Sequence, residues 1–209
     1  MIEQGTAEWL MQRCGKVTAS RIADLMAKTK SGWSSSRANY AAQLIAERLT
    51  GKVAESFTNG AMQWGTQTEP EARRAYEFFV DRDVQEVGFI PHPTIEMAGA
   101  SPDGLVGTDG MLELKCPLTA THIDTLLTGS IPDKYRKQMM FQMACTGRQW
   151  CDFASYDPRM CESMRLFVQR VERNDEEITE IEDAVRAFLA DIDNTVNALR
   201  VRYEVKEAA

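Results

Sequence analysis

Two short segments constrain this chain most: Ser101-Pro102-Asp103-Gly104-Leu105-Val106 and Met111-Leu112-Glu113-Leu114-Lys115-Cys116. The second alternates apolar and polar residues, the period of a strand, so Glu113 and Lys115 fall on one face. Thr108-Asp109-Gly110 reads as a turn that folds the two segments together as a hairpin. That pairing brings the Asp103 and Glu113 carboxylates together, with the Lys115 ammonium beside them. Two carboxylates at one point repel unless a cation neutralises them, and hard oxygens suit Mg²⁺. A neighbouring lysine adds a point charge for a phosphate or an attacking water, the arrangement of metal-dependent phosphodiester hydrolysis. The plainer alternative is a solvated hairpin with an ordinary Glu–Lys pair on its outer face.

Charge bears on what such a site could act upon. The net charge is −7, which argues against a broad basic surface but not against a local basic groove. Arg13, Lys16, Arg21, Lys28 and Lys30 gather near the N-terminus, and Lys134, Arg136, Lys137 and Arg148 form a second group. Acids concentrate from Glu172 onward. His92 and His122 are the only histidines, which excludes a His-rich metal centre. Cys14, Cys116, Cys145, Cys151 and Cys161 form no C-x-x-C pair, which suits reduced thiols rather than zinc or an iron–sulfur cluster. The sequence shows no Walker A loop, dinucleotide fingerprint or G-x-S-x-G elbow. No apolar run approaches the roughly 18 residues of a membrane span, and no signal-peptide core is read, so the expected location is the cytoplasm, with no membrane partner.

Along the chain, helices are predicted at Thr6–Arg13, at Ala19–Ala27 capped by Thr18, and at Arg37–Thr50 capped by Ser36 and closed by Gly51. Lys28–Ser36 between them reads as a polar, mobile loop. A helix over Met62–Val80 contains Pro70, which predicts a kink or a fresh start near Glu69. Strands are expected at Val84–Ile90, Ile95–Ala100, Gly104–Val106, Met111–Cys116, Trp150–Tyr156 and Met164–Val171, and helices at His122–Leu127 and Lys134–Cys145. Asn174 and Glu177 resemble a capping box opening a long amphipathic helix with Ile178, Ile181, Val185, Phe188, Leu189, Ile192, Val196 and Leu199 on one stripe. The apolar surface of this helix exceeds one contact layer, which suggests self-association through the C-terminal third. The whole reads as one domain over 1–209: N-terminal helices 6–50, a core over 58–172 and a C-terminal helix over 175–205.

Three further groups could serve the site. Glu69 stands one turn after Gly65 and could reach a metal, or be a surface glutamate. Tyr135, Gln138 and Gln142 form a polar stripe, either exposed or touching substrate. Arg13, Thr18 and Ser20 bracket a helix N-terminus, where free N–H groups and a guanidinium suit a phosphate, or provide capping alone.

Six ordered motifs resemble one family: Trp9…Arg13…Val17-Thr18-Ala19-Ser20, Trp64-Gly65-x3-Glu69, Ser101-Pro102-Asp103-Gly104-Leu105, Leu112-Glu113-Leu114-Lys115-Cys116-Pro117, Tyr135-x2-Gln138 and Tyr156-Asp157-Pro158-Arg159-Met160. The family is that of bacteriophage lambda exonuclease, the YqaJ-type viral recombinases. The resemblance implies a restriction-endonuclease-like α/β core of the PD-(D/E)xK type, with a mixed sheet between flanking helices. It implies a Mg²⁺-dependent 5′→3′ exonuclease that works with two ions, Mn²⁺ being able to substitute. It would degrade one strand of linear duplex DNA from a 5′-phosphorylated end, leaving mononucleotides and a 3′ tail. Phage or prophage origin, a homotrimeric ring around DNA and a single-strand annealing protein as partner are also implied. By position, Asp103, Glu113 and the Leu114 carbonyl would hold metal with help from Glu69, and Lys115 would act on the attacking water. Arg13, Ser20, Ser101 and Gln138 would take the terminal 5′-phosphate. Met62 would wedge the strands apart, and Tyr135 and Lys30 would contact DNA. A restriction-type endonuclease on the same core and an inactive DNA-end-binding protein are the alternatives.

Overall fold

The computed structural model describes residues 2–30, 32–54 and 60–203, and the side chains of these except Ala61 and Met62. Helix α1 (Ala7–Arg13) is capped by Thr6, whose hydroxyl accepts the Trp9 N–H at 3.3 Å. Strand β1 (Val17–Thr18), one 3-10 turn (Ala19–Arg21) and α2 (Ile22–Met26) follow. The segment expected to be a mobile loop contains a small hairpin, β2 (Lys28–Thr29) with β3 (Gly32–Trp33). Arg37 and Lys28 lie 3.9 and 4.9 Å from the Trp33 ring, contacts that its polar composition conceals. Helix α3 (Ser35–Thr50) is capped by Ser34 rather than Ser36, and Gly51 ends it in the left-handed region at φ 65°. Helix α4 (Gly60–Val80) runs through Pro70 as one element, so of the two expectations, a kink or a fresh start, the fresh start does not occur.

Short strands β4 (Val84–Gln85), β5 (Ile90–Pro91), β6 (Ala98–Ala100) and β7 (Gly104–Val106) lead to β8 (Gly110–Lys115). Then come α5 (Thr119–Thr128), α6 (Asp133–Thr146), β9 (Trp150–Tyr156), β10 (Leu166–Glu172) and α7 (Asp175–Arg202). The main sheet has the order β10-β9-β8-β7-β4, and a second has β1-β6-β5. Only a crossover can join parallel neighbours, and α5 and α6 supply it between β8 and β9.

The period of β8 divides its side chains between two cores. Leu112 and Leu114 pack with Ala72 and Tyr76 of α4, while Met111 belongs to the larger cluster with α2, α3, α6 and α7. Glu113 thus points into the α6 side of the sheet. The stripe of α7 is consumed within the chain: Ile178, Ile181, Val185, Phe188, Leu189, Ile192 and Val196 are all buried in that larger core. Leu199, the last residue of the stripe, is only half-buried, and Val201 and Tyr203 beyond it are exposed. Asn174 caps α7 by accepting the N–H groups of Glu176 and Glu177, but Glu177 turns to Arg136 instead of closing a capping box.

Candidate active site

The β7–β8 ladder ends at Gly104 paired with Leu112, so Asp103 and Glu113 are the residues that follow its last rung. Gly104 is required by the close approach of β4: a Cβ there would lie 2.1 Å from Val84 Cγ1. Asp103 Oδ2 accepts the Leu114 N–H at 2.7 Å. A strand residue points its N–H and C=O to the same edge, so the Leu114 carbonyl faces the Asp103 side as well. Glu113 is fully buried. Its Oε1 accepts from Lys115 Nζ and, at 2.7 Å, from Gln138 Nε2; its Oε2 accepts from Gln142 Nε2 at 2.6 Å. Tyr135 stacks on Phe153 with centroids 5.5 Å apart, and Lys115 Nζ lies 5.2 Å from the Tyr135 ring.

Burial, and then the nearby Glu113 and Glu69 charges, push the Asp103 carboxyl well above the usual range, although Lys115 and the Leu114 N–H pull it down. Burial would lower Lys115, but Glu113 and Asp103 outweigh it and hold the ammonium above its usual value. Glu69 is raised by burial against the pull of Arg73 and Lys115. It sits on Arg73 at 3.0 Å and shares with Asp103 a cavity of about 210 Å³ roofed by Ile2–Gln4. Among the described residues no three His, Cys, Asp or Glu side chains form a metal-holding group. The hard donors at hand are the Asp103 and Glu113 carboxylates and the Leu114 carbonyl, with Glu69 facing the same cavity. A half-buried and a fully buried carboxylate that repel each other, together with a carbonyl, fit a divalent cation of the Mg²⁺ type.

The residues expected at the phosphate are also drawn together. Arg13 lies 3.9 Å over the Trp9 ring, and Trp9 Nε1 donates to Ser101 Oγ at 3.0 Å. Ser20 stands in the 3-10 turn, 3.4 Å from Thr18 Oγ1, and that turn packs against α6, which carries Gln138. Burial draws the Arg13 guanidinium below its usual value against the pull of Tyr40 and Glu47. Its Nε is buried without a partner among the described residues. A buried cationic donor left open in this way suits an anion. Lys30 is exposed at the β2–β3 turn, away from the contacts just described. Met62 lies outside the described side chains.

Three contacts escaped the sequence. Gln142 holds Glu113 rather than facing substrate; its spacing of four from Gln138 on one helix was the available signal. Trp9 links Arg13 to Ser101. Gln4 Nε2 donates to the carbonyls of Val87 and Pro102, both at 2.8 Å, tying the N-terminal segment to the residue before Asp103.

The sequence matches the family model of the YqaJ-like viral recombinase domain over residues 8–149. No curated protein matches it. Among solved structures, it is similar to LHK-Exo in complex with dAMP, at 52% identity and TM-score 0.90, covering 95% of this chain and 98% of that one. A second structure of LHK-Exo, described as an alkaline exonuclease from Laribacter hongkongensis, is similar at 52% identity and TM-score 0.89, with coverage of 95% and 98%. A phage related exonuclease from Haemophilus somnus shares the fold at 15% identity and TM-score 0.69, covering 88% of this chain and 96% of that one.

Proposed function

Since this chain belongs to the YqaJ-like viral recombinase domain family, we propose that it is a Mg²⁺-dependent 5′→3′ exonuclease that digests one strand of linear double-stranded DNA from a 5′-phosphorylated end. Its fold is restriction-endonuclease-like, a mixed sheet covered on both faces by helices. The observation that carries the proposal is the Asp103 carboxylate held on the Leu114 N–H, between Glu113 and Lys115 in sequence, with Lys115 bonded to Glu113.

Asp103, Glu113 and the Leu114 carbonyl would hold Mg²⁺, or Mn²⁺ in its place, as one of two ions, with Glu69 assisting from across the cavity. The bound ion supplies charge neutralisation at the scissile phosphate. Lys115 orients the attacking water and offsets the charge that develops on the phosphoryl oxygens. Water adds to phosphorus, the P–O3′ bond breaks, and the departing mononucleotide takes a proton on its 3′ oxygen. The next nucleotide then carries the 5′-phosphate. Arg13, Ser20, Ser101 and Gln138 capture that new terminus, which biases movement in one direction. Met62 parts the strands, and Tyr135 and Lys30 touch the DNA. A homotrimeric ring would sustain long runs, and a single-strand annealing protein would receive the 3′ tail in phage-type recombination within the bacterial cytoplasm. Among the described residues, no helix is long and apolar enough to cross a membrane.

The test is a linear duplex labelled at a 5′-phosphorylated end, digested with and without Mg²⁺. Release of labelled mononucleotides only with the metal is expected. Cleavage of a covalently closed circle would favour the restriction-type endonuclease, and end binding without release would favour an inactive binding protein.

A further inference from the structure

Gln142 is an anomaly in its surroundings. It is fully buried on α6 beside Met139, Met140, Phe141, Met143, Ala144 and Cys145, all of which are buried too. Its Nε2 donates to Glu113 Oε2 at 2.6 Å, while its Oε1 is buried with no partner among the described residues. An unpaired buried amide oxygen is a net cost to folding. The core would thus tolerate an apolar side chain of the same length, and only the donating end of this amide has work to do.

We propose that Gln142 is a positioning residue for Glu113, fixing the carboxylate plane for the divalent cation. The inference rests on the reading that Asp103 and Glu113 hold that cation. The terminal torsion of a glutamate is broad and nearly two-fold, so one bonded oxygen leaves the plane poorly defined. Gln138 holds Oε1, and Gln142, one helical turn later, holds Oε2. Two donors from one rigid helix face fix both oxygens. Oε1 already accepts from both Lys115 and Gln138, so the capacity left for a metal ion is the second lone pair of Oε2, the oxygen that Gln142 orients. Supports of this kind tune metal affinity without touching the metal.

Methionine has the length of glutamine but neither donates nor carries the bare oxygen. Gln142→Met should therefore melt within a few degrees of the parent, because the lost bond and the removed bare oxygen oppose each other. Calorimetric titration with Mn²⁺ in the absence of DNA should show the dissociation constant raised about 10–100-fold. Cleavage by this variant should recover at high Mn²⁺, with the KM for DNA ends unchanged. Gln142→Asn, an amide too short to reach Glu113, should lose affinity in the same way and serves as the second variant if methionine prevents folding. A Gln142→Met or Gln142→Asn protein that binds Mn²⁺ as tightly as the parent overturns the inference, whatever its melting temperature. If the parent itself binds Mn²⁺ no better than Asp103→Ala does, the metal reading falls and this inference with it.

Discussion

Trp9 donates its indole N–H to Ser101 Oγ at 3.0 Å while its ring carries the Arg13 guanidinium at 3.9 Å. One side chain thus fixes two of the four residues proposed for the terminal phosphate. Trp9→Phe keeps the ring and removes the N–H. The expected outcome is a roughly two- to tenfold fall in the preference for 5′-phosphorylated over 5′-hydroxyl ends, the worth of about one hydrogen bond. Arg13→Ala should lose the preference and shorten each run, because a charged forked donor is gone. Initial rates and run lengths on both end types check both variants. An Arg13→Ala protein that keeps its preference would reduce Arg13 to a stacked surface cation.

Asp103→Ala and Glu113→Ala should each lower nuclease activity by more than about a thousandfold, roughly 4 kcal/mol in the barrier. Their folds should survive, since removing one of two repelling carboxylates relieves a strain in the metal-free protein. Lys115→Ala should still bind DNA ends but lose about 10²–10³ in single-turnover rate. Circular dichroism melts in a chelator, paired with rapid-quench cleavage, separate stability from chemistry. Activity of either carboxylate variant within about tenfold of the parent contradicts the assignment.

On the other face of the sheet, buried Asp152 accepts from Tyr76 Oη at 2.8 Å and from Arg170 at 2.8 and 3.0 Å. Arg170 in turn lies 3.5 Å over the Trp150 ring. Arg170 is half exposed and keeps its hydration without Asp152, but the buried Tyr76 hydroxyl loses its acceptor. Asp152→Ala should cost about 1–3 kcal/mol, chiefly from the stranded Tyr76 hydroxyl, and Tyr76→Phe about 1 kcal/mol, measured as shifts of the urea midpoint.

Asp157 gives a pH signature. Burial alone would raise its carboxyl, but bonds from Arg159 and Thr119 outweigh burial and hold it at about 2. A depressed carboxylate contributes stability that is present above its unfolded value and is lost as pH falls through the folded one. The parent should therefore lose stability between roughly pH 4 and pH 2, and Asp157→Asn should flatten that part of the curve. Melting temperature against pH reads this directly. An unchanged acid limb in the variant would assign the loss to other carboxylates.

Assembly is the remaining expectation. With seven of the eight α7 stripe residues buried in the chain's own core, what α7 offers a ring is its end, Leu199, Val201 and Tyr203. Sedimentation at micromolar concentration should give a species of about three times the 23.5 kDa chain. A monomer would remove the ring from the account of long runs.

Much of this was legible in the sequence because it is local. The Pro102–Gly104 turn, the period of Met111–Lys115 and the threes and fours of α7 are set by backbone geometry over a few residues. They gave the hairpin, put Glu113 and Lys115 on one face, and drew the stripe that the core buries. Local patterns were weaker where neighbours compete. Ser34 and Ser36 are equally good caps by composition, and Arg37 settles the matter by where its N–H points. Glu177 left its capping partner because Arg136, distant in sequence, offers a charged bidentate bond.

The sequence by itself determined which residues could do hydrolytic chemistry, since donor type and strand period are written in the chain. Only the tertiary structure decided how they are held. Trp9 reaches Ser101 across 92 positions, and Gln142 reaches Glu113 across 29. Such meetings depend on how helices dock on the sheet, and that docking is fixed by the burial of many apolar side chains at once. No spacing rule within a segment encodes it.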